Sequence, residues 1–290
     1  MEKIRIIGVP EHYNYPWRKW VEAQSFVEDE IILDWRDEPK GSGAMNRAIR
    51  EGEADLAIIL TESFIKDKVE GSSGKIIGFH VRSPLIWGIH VPANSSIEEI
   101  HQLKNIPFLV SRMGSGSHLM AFLLAKREAW PGDSLEFEVI GDLKGAIQAF
   151  KKATPKAFLW EKYTTQPLVD KGLFRRVGEI PTPWPCFVMV ASERALHEHP
   201  EVLRRIRDGL YAFNTALGKE AASTKEAIQE FYGLNASDVA EWFSQTTWAA
   251  SSVVNKKDLE KTMDVLSELK LIKQKIAPEE LVDSRFVKWE

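Results

Sequence analysis

The sequence predicts an α/β protein of two lobes with a ligand cleft between them. Three observations lead there. Short apolar runs of strand character alternate with amphipathic helical stretches as far as residue 192, the pattern of parallel sheets built by right-handed crossovers. That alternation comes as two successive sets. From residue 193 onward the sequence is almost wholly helical and offers no further apolar strand. Those last helices return most economically to the first set, so the expected boundaries are residues 1–83 with 193–290 for one lobe and 84–192 for the other. A chain of 290 residues suits two domains of roughly 150 residues each.

Taken in order, residues 3–9 form a first strand that stops at Pro10, and 16–24 a helix. Residues 30–35 alternate as a strand, a helix runs from Gly41-Ser42-Gly43 through Arg50, and 56–60 is a buried-type strand. Gly71-Ser72-Ser73-Gly74 is a loop tip, 75–80 a strand broken at Ser83-Pro84, and 85–91 a strand again. The second set comprises a short helix at 97–103, a strand at 107–111, a helix at 117–130 and a strand at 135–140. It continues with a helix at 142–152 capped by Asp142, a strand at 157–160, a helix at 166–171 and a strand at 186–191. Helices are then expected at 200–217, 225–232, 237–243 and 257–269, with Asn235 and Ser237 as N-cap candidates.

Composition excludes several functions. The net charge of −4 and the lack of a basic stripe interleaved with aromatics argue against nucleic-acid binding. The longest apolar run, Leu119 to Ala125, has seven residues, whereas a membrane span needs about 20. The single cysteine, Cys186, rules out an intramolecular disulfide and a Cys-rich metal site. The first residues read as a strand rather than a signal peptide, so a cytoplasmic location is expected, or a periplasmic one if the chain is a trimmed mature form.

The order of several motifs carries a resemblance. Gly41-Ser42-Gly43-Ala44-Met45 with Ala48-Ile49 is followed by Gly52-Glu53-Ala54-Asp55-Leu56-Ala57-Ile58. Farther on come Ser83-Pro84-Leu85-Ile86-Trp87-Gly88-Ile89-His90-Val91-Pro92 and Ile97-Glu98-Glu99-Ile100 with Leu103-Lys104. Ser111-Arg112, Gly114-Ser115-Gly116-Ser117 and Pro200-Glu201-Val202 complete the series. Over residues 3–270 this order resembles the type II periplasmic-binding-protein folds, in the branch related to thiamine-pyrimidine-precursor and alkanesulfonate binding proteins. The resemblance implies a small-molecule ligand held between lobes by hinge closure, with a transporter permease as a partner to consider. It differs from that family in lacking the export signal and lipoprotein cysteine.

The candidate contacts lie where strands end, because ligands of open α/β sheets bind outside the carboxyl ends of the strands. Gly114-Ser115-Gly116-Ser117 precedes a strong helix whose free N–H groups suit an anion or carbonyl, with Ser117 as the expected cap and Arg112 and His118 beside it. Gly41, Ser42 and Gly43 take the equivalent place in the first lobe. Glu62, within Thr61-Glu62-Ser63, could pair with an amine or a protonated ring nitrogen. Trp160 and Glu161 end a strand as an aromatic plate beside a carboxylate, a clamp for a flat or cationic ligand. Asn14 in His12-Tyr13-Asn14-Tyr15, the stretch Pro183-Trp184-Pro185-Cys186, and Ser83 on the crossover complete the rim.

Enzymatic readings have less to rest on. Neither GxSxG, HExxH nor a Walker loop occurs, and the seven histidines are scattered. No cofactor and no metal are expected. Fungal-type thiamine-pyrimidine synthases share the resembled fold but use a cysteine-rich motif that this chain lacks. The expectation is a binding protein for a polar, flat or zwitterionic metabolite. The alternative is a cytosolic enzyme on the same scaffold, in cofactor biosynthesis of the thiamine-pyrimidine or menaquinone type.

Overall fold

The computed structural model describes residues 1–152 and 154–290. The chain divides into two compact units, Met1–Pro84 with Trp184–Glu290, and Leu85–Pro183. Each has its own five-stranded mixed sheet flanked by helices.

The first unit begins β1 (Glu2–Gly8), α1 (Tyr15–Glu22), β2 (Ile31–Asp37), α2 (Ser42–Arg50), β3 (Leu56–Leu60), α3 (Thr61–Val69) and β4 (Lys75–Val81). The second comprises β5 (Ile86–Pro92), β6 (Phe108–Val110), α4 (Gly116–Arg127), β7 (Phe137–Val139), α5 (Leu143–Phe150), β8 (Ala157–Glu161), α6 (Lys162–Asp170) and β9 (Phe174–Pro181). The return segment holds β10 (Phe187–Ala191), α7 (Glu193–Glu198), α8 (Pro200–Lys219), α9 (Ala221–Tyr232) and α10 (Ala236–Gln245). It ends with β11 (Val253–Val254), α11 (Lys256–Glu268), α12 (Pro278–Leu281) and β12 (Lys288–Trp289).

The first sheet has the order β2-β1-β3-β10-β4. β1 runs parallel to β2 and β3, whereas β10 lies antiparallel between β3 and β4, with Phe187 opposite both Leu60 and Val81. The amino end of β10 therefore meets the carboxyl ends of the other four strands. This corrects the expected boundary of the second unit, which ends at Pro183 rather than at residue 192. Phe187–Ala191 is buried on both faces, so its apolar run fits a central strand of either sheet, and only the pairing decides.

The second sheet has the order β7-β6-β8-β5-β9. β9 falls in a stretch to which the sequence pattern assigns no element. It is an edge strand carrying Arg175, Arg176 and Glu179, so it lacks the apolar alternation that marks a half-buried strand. The expected helix at 97–103 is a single 3-10 turn, Ile100–Leu103, and the one at 166–171 starts at Lys162, directly after β8.

At the end of the first sheet remote from the strand termini considered below, Asp55 is fully buried. It accepts from the Arg5 amide (2.9 Å) and guanidinium (2.9 and 3.0 Å) and pairs with Arg194, tying β1, β3 and α7 together. Among the described residues no helix is long and apolar enough to cross a membrane.

Candidate functional site

In the first unit, the segments that follow β1 to β4 gather at the carboxyl ends of these strands. After β1, a 3-10 turn at His12–Asn14 sets Asn14 in the interior, 1% exposed. The turn is held by its Tyr13 carbonyl, which accepts from His80 Nε2 (2.8 Å) and Trp248 Nε1 (2.9 Å). Asn14 Nδ2 donates to the Val9 carbonyl at 2.8 Å, and its Oδ1 has no partner. Gly8 makes this possible, since a Cβ there would sit 2.8 Å from Asn14 Nδ2 and 2.5 Å from the Trp35 ring.

After β2, Gly41 at φ +76° is the N-cap of α2, a conformation that favours glycine. Ser42 and Gly43 lie in the first turn, and Ser42 Oγ accepts from the Leu60 amide at 3.1 Å, pinning α2 to the end of β3. One turn on, Asn46 is 4% exposed and donates through Nδ2 to the Ser63 carbonyl (3.1 Å) and hydroxyl (3.2 Å), and its Oδ1 has no partner.

After β3 the chain enters α3 without a loop, and Glu62 in its first turn is 2% exposed. Its Oε2 accepts from Trp184 Nε1 at 2.8 Å, while Oε1 has no partner. Burial pushes the carboxyl up to about 7, against the opposing pull of its own backbone N–H and of the Trp184 indole. Thr61 Oγ1 donates to the Pro185 carbonyl at 2.6 Å, fastening the segment that carries Trp184. Ser83, after β4, accepts through Oγ from the Thr247 amide (3.1 Å) and through its carbonyl from the Cys186 amide (3.1 Å).

In the second unit the corresponding edge is formed by the loops after β6, β7 and β8. Ser115, not Ser117, is the N-cap of α4, accepting from the His118 amide at 3.4 Å. Gly116 opens the helix. Ser117 is 2% exposed and shares a hydrogen bond with Ser115 Oγ at 3.0 Å while accepting from the Ser111 amide at 3.1 Å. His118 Nδ1 accepts from the Gly114 amide at 3.1 Å, and its ring packs edge-on against Phe122 and Phe137. Burial lowers the pKa of Arg112.

Glu161, 2% exposed, caps α6 by accepting from the Thr164 amide at 2.6 Å. Its carboxyl is pushed up to about 7, chiefly by burial. Trp160, half-buried, stacks on Phe158 with ring centroids 5.3 Å apart and packs on the cluster of Leu109, Ala146, Phe150 and Phe174. The structure thus does not join Trp160 and Glu161 into the expected clamp. Successive strand residues point to opposite faces, and one of them packs on the core while the other caps a helix.

A cavity of about 260 Å³ in the second unit is lined by Asn94, Lys151 and Leu173. It lies at the amino end of β8, away from these loops.

The chain matches the *Candida albicans* CA3427 gene product, described as exhibiting the generic periplasmic binding protein fold, with a TM-score of 0.89 and 22% identity over 100% of this chain and 99% of that one. The chain has the periplasmic-binding-protein fold. It also matches the alkanesulfonate-binding protein SsuA from *Xanthomonas axonopodis* pv. citri, bound to MOPS (TM-score 0.78, 14% identity, 100% and 99% coverage). The periplasmic aliphatic sulphonate binding protein SsuA from *Escherichia coli* follows at a TM-score of 0.74 and 16% identity, with 99% of each chain covered. The Ca3427-like PBP family model matches residues 87–180. No curated protein matches the chain.

Within this periplasmic-binding-protein fold the expected residues sort into two groups. Asn14, Gly41, Ser42, Gly43, Glu62 and Ser83 stand along the strand-end edge of the first sheet. Ser115, Gly116, Ser117, His118 and Glu161 stand along that of the second. Asn46 was missed. Its only sequence signal is its place four residues after Ser42, which puts both on one helix face. The pairing of Trp184 with Glu62 spans 122 residues and has no local signal.

Proposed function

We propose that this protein is a small-molecule-binding protein that takes a polar metabolite at the strand-end loops of its sheets, with hinge closure on the ligand. The observation that carries the reading is the state of the first unit's edge. Asn14 Oδ1, Asn46 Oδ1 and Glu62 Oε1 are buried oxygens that have no partner among the described residues. Each such group costs roughly 1–3 kcal/mol, so a fold keeps several together only where something else supplies the missing bond. Their position at the carboxyl ends of strands is where ligands of open α/β sheets bind. That two structural neighbours are named as sulfonate-binding proteins supports the general class of activity.

The test is thermal unfolding with fractions of a small-molecule extract. A ligand present at about a hundred times its Kd stabilises by about 2.7 kcal/mol, which raises Tm by about 5–10 °C in a chain of this size. One or a few fractions should produce that rise. No shift with any fraction would overturn the proposal.

A further inference from the structure

Resting on the solute-binding reading, we infer that the first unit's edge recognises a nitrogen group bearing N–H donors, such as an ammonium, an amidinium or an amino-substituted heterocycle, and that Glu62 is its charge partner. The geometry fixes which atoms Asn14, Asn46 and Glu62 leave over. Asn14 Nδ2 lies 2.8 Å from the Val9 carbonyl, and Asn46 Nδ2 lies 3.1 Å from that of Ser63. A carbonyl can only accept, so each amide must present its NH₂ there and its oxygen elsewhere; flipping either would set two acceptors against each other. Glu62 is fixed in the same way, because an indole N–H can only donate and it occupies Oε2. The groups that these three side chains leave over are therefore all oxygens: Asn14 Oδ1, Asn46 Oδ1 and Glu62 Oε1, on residues 1%, 4% and 2% exposed.

They also stand near one another in the fold. Asn46 bonds Ser63, the residue after Glu62, and Asn14 closes the turn after β1, the strand paired to β3. A sulfonate or carboxylate head group brings only acceptors and would leave these oxygens unpaired. A nitrogen donor group satisfies them and offers charge to Glu62. Trp184 Nε1 is already committed to Glu62.

Two probes with the same ring and opposite head groups decide the matter: benzamidine and benzenesulfonate, titrated calorimetrically into the full chain. Benzamidine is expected to bind at least about tenfold more tightly. Glu62→Gln is expected to weaken it about tenfold to a hundredfold, as loss of a charged hydrogen bond does, with an unchanged circular dichroism spectrum. Should Glu62→Gln fail to fold, Asn46→Ala carries the test and is expected to weaken benzamidine about three- to tenfold. Preference for benzenesulfonate would overturn the donor-group assignment while leaving the solute-binding reading intact. No binding of benzamidine, or equal binding to both variants and wild type, would also overturn it. The extract experiment judges the wider reading separately.

Discussion

The indole N–H of Trp184 donates to Glu62 Oε2 at 2.8 Å, joining the start of α3 to the segment that leads into β10. Together with the backbone N–H of Glu62, this bond opposes burial, which would otherwise push the carboxyl higher still. Trp184→Phe keeps the ring and removes the donor. The Glu62 carboxyl should then titrate above its present value of about 7, and stability should fall by about 1–3 kcal/mol. Carboxyl-carbon NMR titration and urea unfolding measure both. An unchanged titration would contradict the bond's role.

Asp55 offers a contrast, because it stabilises the fold at the opposite end of the same strands. Asp55→Asn loses the charge that Arg5 and Arg194 share, and it cannot accept all the hydrogen bonds now made. A loss of about 2–3 kcal/mol is expected in denaturant unfolding. Ligand binding in the surviving folded protein should be unchanged, which separates stability from recognition.

Ser117 bears on the loop before α4. Its hydroxyl accepts from the Ser111 amide and meets Ser115 Oγ, so Ser117→Ala frees a buried N–H and the capping serine at once. A loss of about 1–2 kcal/mol is expected. Amide exchange should quicken over residues 111–118 and not in the first unit.

Stability against pH follows from the buried groups. Glu62 and Glu161 are raised to about 7 from an ordinary 4.5, so between those values the folded state holds protons that the unfolded chain has released. Their contribution is full below 4.5 and is lost as pH rises through 7. His12 and His90 are lowered to about 3 and His80 to about 4 from an ordinary 6.5, so their contribution is present above 6.5 and lost as pH falls. Each unmatched proton is worth about 1.4 kcal/mol per pH unit. Between pH 6.5 and 4.5 three protons favour the unfolded chain and two favour the folded one. Stability should therefore peak near pH 6.5 and fall by about 1.4 kcal/mol per unit on acidification, more steeply below 4.5. Asp55 and Asp283, whose pKa values are lowered by their arginine partners, add to that last fall. Urea midpoints that keep rising down to pH 5 would contradict this balance.

Much of the fold is legible in the sequence because it is written locally. Asp142 caps α5 by accepting from the Gly145 amide at 3.0 Å, and the helix from Pro200 runs to Lys219 against an expected end at 217. Asn235 is the N-cap of α10, whereas Ser237 lies inside that helix. What is not legible depends on distant pairing. The sheet to which β10 belongs is decided by neighbours more than 100 residues earlier, and β9 is a strand because β5 pairs with it despite its charges. At the candidate site, strand ends and glycine turns pointed to segments that the fold gathers along the sheet edges. Which side chains keep an unpartnered oxygen depends on contacts such as Asn46 with Ser63, which only the folded chain brings about.

Whether the chain holds a small molecule at its strand-end loops is decided by native mass spectrometry after exposure to a small-molecule extract. One discrete mass increment is expected on the wild-type chain, retained in Asp55→Asn and diminished in Glu62→Gln. A bare wild-type chain, or an increment equally present in both variants, would contradict binding there.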